Sequence, residues 1–224
     1  TSDAAGEVIA TKPIAFTLTE LKAAIVKLSG PQQQVPTMYS ALKYQGQPLY
    51  KYARQGITVP REARPITIFQ FELLAFDGQD ARFIVHCSKG TYIRTLIDDL
   101  GELLGCGAYV TGLHRTQVGP FTAAQMQTTE ALEPLNQAGD WQALDQLLLP
   151  MDWALQGLPT LSLQPVQWQR LVHGQSVELT ADMQAELPEL PLDAIKLYDE
   201  SQQFIGIGRA DSQFLTVRRL LNTS

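Results

Sequence analysis

Apolar residues recur at helical spacing from Leu18 through Leu21, Ile25 and Leu28. Thr17 stands ahead of them with Glu20 three positions on, the pattern of a capping box, and Phe16 and Leu21 fall where a hydrophobic staple would close it. This predicts a helix over 18–29 with Gly30 as its C′ residue. Before it, residues 8–15 alternate loosely and predict a short strand. After it, Pro31, Pro36, Gly46, Pro48, Gly56 and Pro60 break every period, leaving one short helix over 48–55. The run ITIFQFELLAF then predicts a strand over 65–76. A turn at Asp77-Gly78 and an antiparallel partner over 81–87 follow it.

A second amphipathic helix is expected over 92–104, its stripe made by Ile93, Leu96, Ile97, Leu100, Leu103 and Leu104, and ended by Gly105-Cys106-Gly107. A strand is expected over 108–118, and helix over 128–149 with Trp141 as an apolar anchor. A linker is expected over 155–159. The rest, 160–224, predicts a small β-rich module after a helix over 164–172, with strands in VELT, IKLYD, FIGIGRA and FLTVRRLL.

Length sets the scale of this plan. The 224 residues, 45% hydrophobic, suffice for one medium domain and one small one. Seventeen Lys and Arg against 23 Asp and Glu leave a net charge of −6, which excludes a histone-like mode of nucleic-acid binding. The charge is polarised, however. Lys43, Lys51, Arg54, Arg61 and Arg64 face the single Glu62, so residues 43–64 carry +4, whereas residues 130–200 carry −10. The basic stretch also holds Tyr39, Tyr44, Tyr50 and Tyr52. Cations neutralise phosphates and aromatic faces accept unstacked bases, so 37–65 reads either as an RNA-binding surface or as a solvated loop with self-packed tyrosines.

Other chemistry is sparse. Cys87 and Cys106 read as reduced, buried thiols, and His86, His114 and His173 lack ligand spacing, so no metal is expected. Gly105-x-Gly107 follows a helix and precedes an expected strand, the wrong order for a phosphate cradle. Ser40-x-x-Lys43 lacks the partner motifs of penicillin-binding enzymes. Residues 1–6 form no secretory signal and no apolar run reaches membrane-spanning length. The abrupt start without Met leads us to expect a truncated chain.

Arg94 is the residue that needs a reason. It lies in the first turn of the 92–104 helix, where the helix dipole disfavours a cation. It either holds an anion, a carboxylate or a phosphate, or it pairs with Asp98 one turn on. Leu113, taken alone, reads as a core residue.

Tyr39-Ser40-Ala41-Leu42-Lys43, Tyr52-Ala53-Arg54-Gln55-Gly56, Pro60-Arg61-Glu62-Ala63-Arg64-Pro65 and Cys87-Ser88-Lys89-Gly90-Thr91-Tyr92-Ile93-Arg94-Thr95-Leu96 occur in this order. Asp98-Asp99-Leu100-Gly101, Gly105-Cys106-Gly107-Ala108 and Leu113-His114-Arg115 follow. Together they closely resemble the bacterial TruB family of tRNA pseudouridine-55 synthases, over essentially the whole chain. The resemblance implies an α/β (α+β) fold with a mixed, largely antiparallel pseudouridine-synthase sheet and flanking helices, N-terminally truncated, plus a small β-rich PUA-like C-terminal domain. The catalytic domain would occupy 1–155, with a thumb-like RNA-binding insertion at about 37–65, and the PUA-like domain 160–224.

The implied activity is isomerisation of the T-loop uridine of tRNA, flipped out of its stack and rejoined to ribose through carbon, with no cofactor and no metal. Tyr92 would lie against the flipped base, Leu113 would line the same pocket, and Arg94 would orient the nucleophilic aspartate. Tyr39, Lys43, Arg54, Arg61, Arg64, Lys89 and Arg115 would bind RNA. The family's Gly-x-Leu-Asp-Pro-type motif, which carries the nucleophile, is absent from these residues, as is the upstream tyrosine that contacts the base, so the fragment alone is expected to be inactive. A cytoplasmic monomer acting on tRNA, without membrane attachment, completes the expectation. The alternative is a non-catalytic tRNA-binding or tRNA-folding protein.

Overall fold

The first helix, α1 (Leu18–Lys27), begins as its capping box demands. The Glu20 amide donates to the Thr17 hydroxyl at 3.2 Å, and the Thr17 amide donates back to the Glu20 carboxylate at 2.7 Å. The computed structural model in which this is seen describes residues 1–221. Leu21, Ala24 and Ile25 form the buried face of α1. Gly30 is not the C′ residue. It opens strand β1 (Gly30–Gln34) with φ of 83°, a segment that its polar GPQQQ sequence had hidden among the breakers.

A two-residue ribbon, β2 (Lys43–Tyr44) and β3 (Gln47–Pro48), leads into the short helix α2 (Leu49–Arg54). The strands β4 (Arg64–Phe76) and β5 (Ala81–Cys87) pair antiparallel, as their patterns predict, and β1 adds to the other edge of β4, giving the order β1-β4-β5. Helix α3 (Ile93–Leu104) then closes with Gly105 in the left-handed region at φ 77°.

The long strand buries its residues in steps. Ile66 and Ile68 face the core, then Phe71 and Leu73, then Phe76. The alternation changes phase twice because the ladder with β5 slips between Ile68 and Gln70 and again between Leu73 and Ala75. Each bulge inserts one residue and turns the following side chains to the other face. Phe69 and Leu74 therefore point outward, 59% and 54% exposed. The core of this part joins α1, β4 and α3 through Leu21, Ile25, Ile68, Leu96 and Leu100. Burial of each such aliphatic side chain stabilises by roughly 1.5–3 kcal/mol.

Residues 1–114 form one packed unit and residues 115–221 belong to a second. Within the second, a small ribbon of β6 (Gln117–Val118) and β7 (Phe121–Thr122) precedes α4 (Thr129–Ala138) and α5 (Trp141–Gln146). After a 3-10 turn at Met151–Leu155 come β8 (Thr160–Ser162), α6 (Pro165–Val172), β9 (Val177–Glu178) and α7 (Ala181–Glu186). The hairpin-linked strands β10 (Leu192–Tyr198), β11 (Phe204–Ala210) and β12 (Phe214–Leu220) end the fold. The sheet order is β8-β10-β11-β12-β9, with β8 parallel to β10 and the other pairs antiparallel. Leu161, Leu171, Ile195, Leu197 and Leu215 fill its core.

Further expectations are corrected. Residues 8–15 form no strand; Val8 and Ile9 are 85% and 97% exposed, so nothing packs to hold one there. Residues 108–118 are irregular except for a bridge at Val110 and the short β6. The single helix over 128–149 is two, because Gly139 takes φ of 67° between them, and Trp141 is 63% exposed instead of anchoring anything. Cys87 and Cys106 are free but half-buried, not fully enclosed.

Candidate active site and RNA-binding surface

The turn from β5 into α3 is assembled by side chains that bond to backbone. The Thr67 amide donates to the Ser88 hydroxyl at 2.9 Å while the Ser88 amide donates to the Thr67 carbonyl at 2.8 Å, so Ser88 continues the strand pairing past its last ladder residue. Thr91 donates through its hydroxyl to the Ser88 carbonyl at 2.9 Å, and Gly90 takes φ of 84° to permit the reversal. Tyr92 is the N-cap residue of α3, and its phenol makes no cap bond. Its backbone is held instead by Gln34, at the end of β1. The Tyr92 amide donates to Oε1 at 2.8 Å and the Tyr92 carbonyl accepts from Nε2 at 3.1 Å.

Arg94 follows on the first turn of α3. Its Nη1 lies 2.6 Å from Oδ2 of Asp3, and its Nη2 donates to the Tyr39 carbonyl at 3.1 Å. The two side chains are 29% and 25% exposed, so the pair is partly shielded from water. This decides between the two readings of Arg94 left open by the sequence. Asp98, the one-turn partner, accepts from the Ser2 hydroxyl at 3.2 Å instead. The anion on Arg94 is a carboxylate, and it belongs to a residue of this chain.

Asp3 is itself fixed. Residues 2–4 run alongside Val110, with the Ala4 amide donating to the Val110 carbonyl and the Val110 amide to the Ser2 carbonyl, both at 3.0 Å. The Thr1 hydroxyl donates to Oδ1 at 2.8 Å and the Ala5 amide to the same atom at 3.1 Å. The Thr1 hydroxyl, then the Arg94 guanidinium, hold the Asp3 carboxyl below its ordinary range. An anion so placed offsets the unfavourable start of a helix for a cation.

The other site candidates scatter. Leu113 is 63% exposed in a stretch without regular structure, so it is no core residue, and among the described residues no hydrogen bond or core cluster joins it to Tyr92 or Arg94. Lys43, Arg64, Lys89 and Arg115 are exposed. Arg54 is exposed too, with its guanidinium 5.3 Å from the centre of the Tyr50 ring. Arg61 is half-buried and donates to the Pro36 carbonyl at 2.9 Å, a structural bond. Tyr39 contributes its carbonyl to Arg94 and is itself exposed at the surface. Tyr44 and Tyr52 pack edge to face, and the Tyr52 hydroxyl donates to the Tyr44 carbonyl, so these two tyrosines serve the loop itself. Among the described residues no group of three His, Cys, Asp or Glu could hold a metal ion, and no helix is long and apolar enough to cross a membrane.

Sequence reasoning missed Asp3 and Gln34. Asp3 sits in a short polar segment with no pattern, and Gln34 in a run of three glutamines that reads as loop. Only burial distinguishes Gln34: it is 4% exposed, against the exposed Gln33 beside it.

Comparison with known proteins identifies the family of the chain. Residues 1–93 match the model of the TruB family pseudouridylate synthase N-terminal domain, residues 94–156 that of the tRNA pseudouridylate synthase B C-terminal domain, and residues 159–221 that of pseudouridine synthase II TruB, C-terminal. The tRNA pseudouridine synthase B of Shewanella sp. (strain W3-18-1) is 47% identical over 228 residues, covering 99% of this chain and 70% of its own length. That of Shewanella baltica (strain OS223) is 48% identical with the same coverage. Among solved structures, a chain of a Cbf5-Nop10-Gar1 complex superposes with a TM-score of 0.66 at 20% identity, over 92% of this chain and 62% of that one. A chain of an H/ACA RNP bound to a substrate RNA containing 2'-deoxyuridine gives 0.65 at 18% identity, which likewise speaks for the fold alone. With an arginine held by a carboxylate beside a tyrosine at the head of α3, and relatives near half-identical along its whole length, the chain belongs to the TruB family of tRNA pseudouridine synthases.

Proposed function

We propose that this chain carries the base pocket and the aspartate-orienting arginine of a tRNA pseudouridine-55 synthase. Arg94 is the observation that supports it. One guanidinium, pinned by Asp3 and the Tyr39 carbonyl, keeps further N–H groups for a second carboxylate. In this reading the second carboxylate is the nucleophile, from a Gly-x-Leu-Asp-Pro-type segment that these 224 residues do not include. Held next to a fixed cation, it stays ionised and aimed at the ribose.

The chemistry needs no redox partner. The bond between ribose C1′ and uracil N1 breaks, the base turns, and C1′ joins C5; the C5 proton leaves and N1 gains one. Flipping the uridine out of the T-loop costs roughly a few kcal/mol, and Tyr92, with Leu113 from the 111–116 stretch, receives the base. Tyr39, Lys43, Arg54, Arg64, Lys89 and Arg115 supply the contacts to RNA, while Arg61 frames the thumb-like insertion from within. The PUA-like module from 160 onward touches the acceptor end. The protein acts on tRNA in the cytoplasm as a monomer, without metal or cofactor.

Tritium release from T-loop RNA labelled at uridine C5 tests the reading. The full-length enzyme turns over, and Arg94→Ala in it abolishes turnover while tRNA binding persists. The 224-residue chain alone binds tRNA but releases no tritium. Turnover by the isolated chain would overturn the outside nucleophile, and an inactive full-length protein would overturn the enzyme.

A further inference from the structure

Among the described residues, Gln34 and Ser40 are the two polar residues of the buried interior, and Gln34 is the one whose side chain is bonded. A buried carboxamide is costly unless both of its ends find partners. Gln34 finds them on one residue, accepting from the Tyr92 amide at 2.8 Å and donating to the Tyr92 carbonyl at 3.1 Å. An amide N–H can only donate and a carbonyl can only accept, so the orientation of the carboxamide is unambiguous. The contact spans 58 residues of chain and imitates one rung of a sheet. It ties the end of β1 to the residue that opens α3.

We propose that Gln34 is a positioning residue for the isomerisation: it clamps the Tyr92 backbone so that the Tyr92 ring meets the flipped uridine while, two residues on, the Arg94 guanidinium meets the nucleophilic carboxylate in register. Three observations converge on it. Tyr92 lacks any side-chain cap, so without Gln34 its amide has no partner among the described residues. The Tyr92 carbonyl also accepts the first helical bond of α3, from the Leu96 amide at 3.0 Å, so the clamp fixes the point from which the helix grows. Ser88 and Thr91 fix the other side of the same turn. Misplacement of reacting groups by about 1 Å costs on the order of a hundredfold in rate, which sets the scale of the expected loss. The inference rests on the proposed synthase activity and deepens it.

The test is steady-state kinetics on tRNA by the full-length enzyme, with three substitutions. Gln34→Met keeps the volume and removes both bonds; kcat falls by about tenfold to a hundredfold with KM within about threefold of the parent. Gln34→Glu separates positioning from packing. Its ionised form accepts from the Tyr92 amide but faces the carbonyl with a second acceptor, whereas its protonated form restores both bonds. Burial favours the protonated form, so the ratio of its kcat to that of the parent rises as pH is lowered from 8 to 6. Gln33→Ala, on the exposed neighbour, leaves kcat unchanged.

A Gln34→Met enzyme as fast as the parent overturns the role of Gln34. So does a loss carried wholly by KM, or a flat pH ratio for Gln34→Glu. If the unsubstituted enzyme makes no pseudouridine, the functional reading itself fails, a result distinct from the others because it needs no variant.

Discussion

The Asp3 carboxylate meets Arg94 across 91 residues of chain, at 2.6 Å, with the Tyr39 carbonyl completing the grip at 3.1 Å. Two acceptors on one planar guanidinium fix its rotation, which a single bond would not. Asp3→Asn in the full-length enzyme retains the shape and loses the charge. We expect turnover to fall by about tenfold or more while tRNA affinity stays within a few-fold, since in the proposed function the pair orients a reacting group and does not touch phosphate. Arg94→Lys is expected to fare no better, because an ammonium cannot hold Asp3, the Tyr39 carbonyl and a second carboxylate in one plane. Single-turnover tritium release beside equilibrium tRNA binding reads both quantities.

The same pair has a definite pH signature. The Thr1 hydroxyl and then Arg94 lower the Asp3 pKa below its ordinary 3.8. A carboxyl whose folded value is depressed adds stability that is fully present above the unfolded value and is lost as pH falls through the folded one. The ion pair is therefore intact throughout the neutral range and fails only below about pH 3.8. Carboxyl carbon NMR titration is expected to give Asp3 a midpoint below 3.8, moving upward in Arg94→Ala. A midpoint above 3.8 in the unsubstituted chain would contradict the pairing.

How much of this was legible beforehand follows from which forces write a pattern into sequence. Helices α1 and α3 were, because a 3.6-residue apolar stripe with a capping box or a terminal glycine is a local signal. The β4–β5 hairpin was, through its Ile and Phe and its Asp-Gly turn. Strand β1 was not. It pairs by backbone, and its only buried side chain is Gln34, so its sequence carries no apolar alternation. The phase changes along β4 were hidden for the opposite reason, because a continuous apolar run looks the same on either side of a bulge. At the site, the oddity of a cation at a helix start pointed to Arg94, but its partner 91 residues away could not be found locally. Leu113 was named only through family resemblance, since neither its exposure nor its irregular segment advertises a role.

Gly101 illustrates a backbone requirement that has consequences at the site. A Cβ there would lie 2.1 Å from the Ala108 nitrogen and 2.2 Å from the Gly107 carbonyl carbon, and the Gly107 amide donates to the Gly101 carbonyl at 3.0 Å. The helix gain from Gly101→Ala, about 1 kcal/mol, is outweighed by backbone displacement that costs typically about 1–3 kcal/mol or more. We expect a lower Tm by circular dichroism. Because the displaced turn leads to Val110, which pairs with residues 2–4, turnover of the full-length variant should fall as well. A Tm equal to or above that of the parent would refute the close approach.

The basic surface should reveal itself through salt. Lys43, Arg54, Arg64 and Lys89 are exposed, so replacing each with Ala leaves the fold intact and frees one phosphate where RNA lies over it. The slope of log affinity against log salt is then expected to shrink by about 0.7–0.9 for every phosphate no longer neutralised. Arg61→Ala is different. Its guanidinium bonds to the Pro36 carbonyl inside the loop, so its removal should lower stability more than it changes the slope. Filter binding of tRNA over a series of salt concentrations distinguishes the two classes, and unchanged slopes for every one of the exposed cations would remove this face from the RNA interface.

In the second unit, the Tyr198 hydroxyl donates to Asp152 at 2.5 Å, and Lys196 lies 3.7 Å from the same carboxylate oxygen. Asp152 belongs to the 3-10 turn at Met151–Leu155 and the other two to β10, so the cluster fastens that turn to the sheet. The Tyr198 hydroxyl, foremost, lowers the Asp152 pKa, and burial followed by Asp152 raises that of Tyr198. The signs oppose. Asp152 contributes stability above pH 3.8 that is lost as pH falls further, and Tyr198 contributes stability below pH 10 that is lost as pH rises through its folded value. A plateau between these limits is expected. Tyr198→Phe should lower it by about 1–2 kcal/mol, the worth of a charge-assisted hydrogen bond, while Lys196 keeps Asp152 paired. All three tryptophans, Trp141, Trp153 and Trp168, lie in this unit, so urea unfolding followed by intrinsic tryptophan fluorescence reports on it selectively. A Tyr198→Phe midpoint identical to that of the parent would show that the fastening contributes nothing.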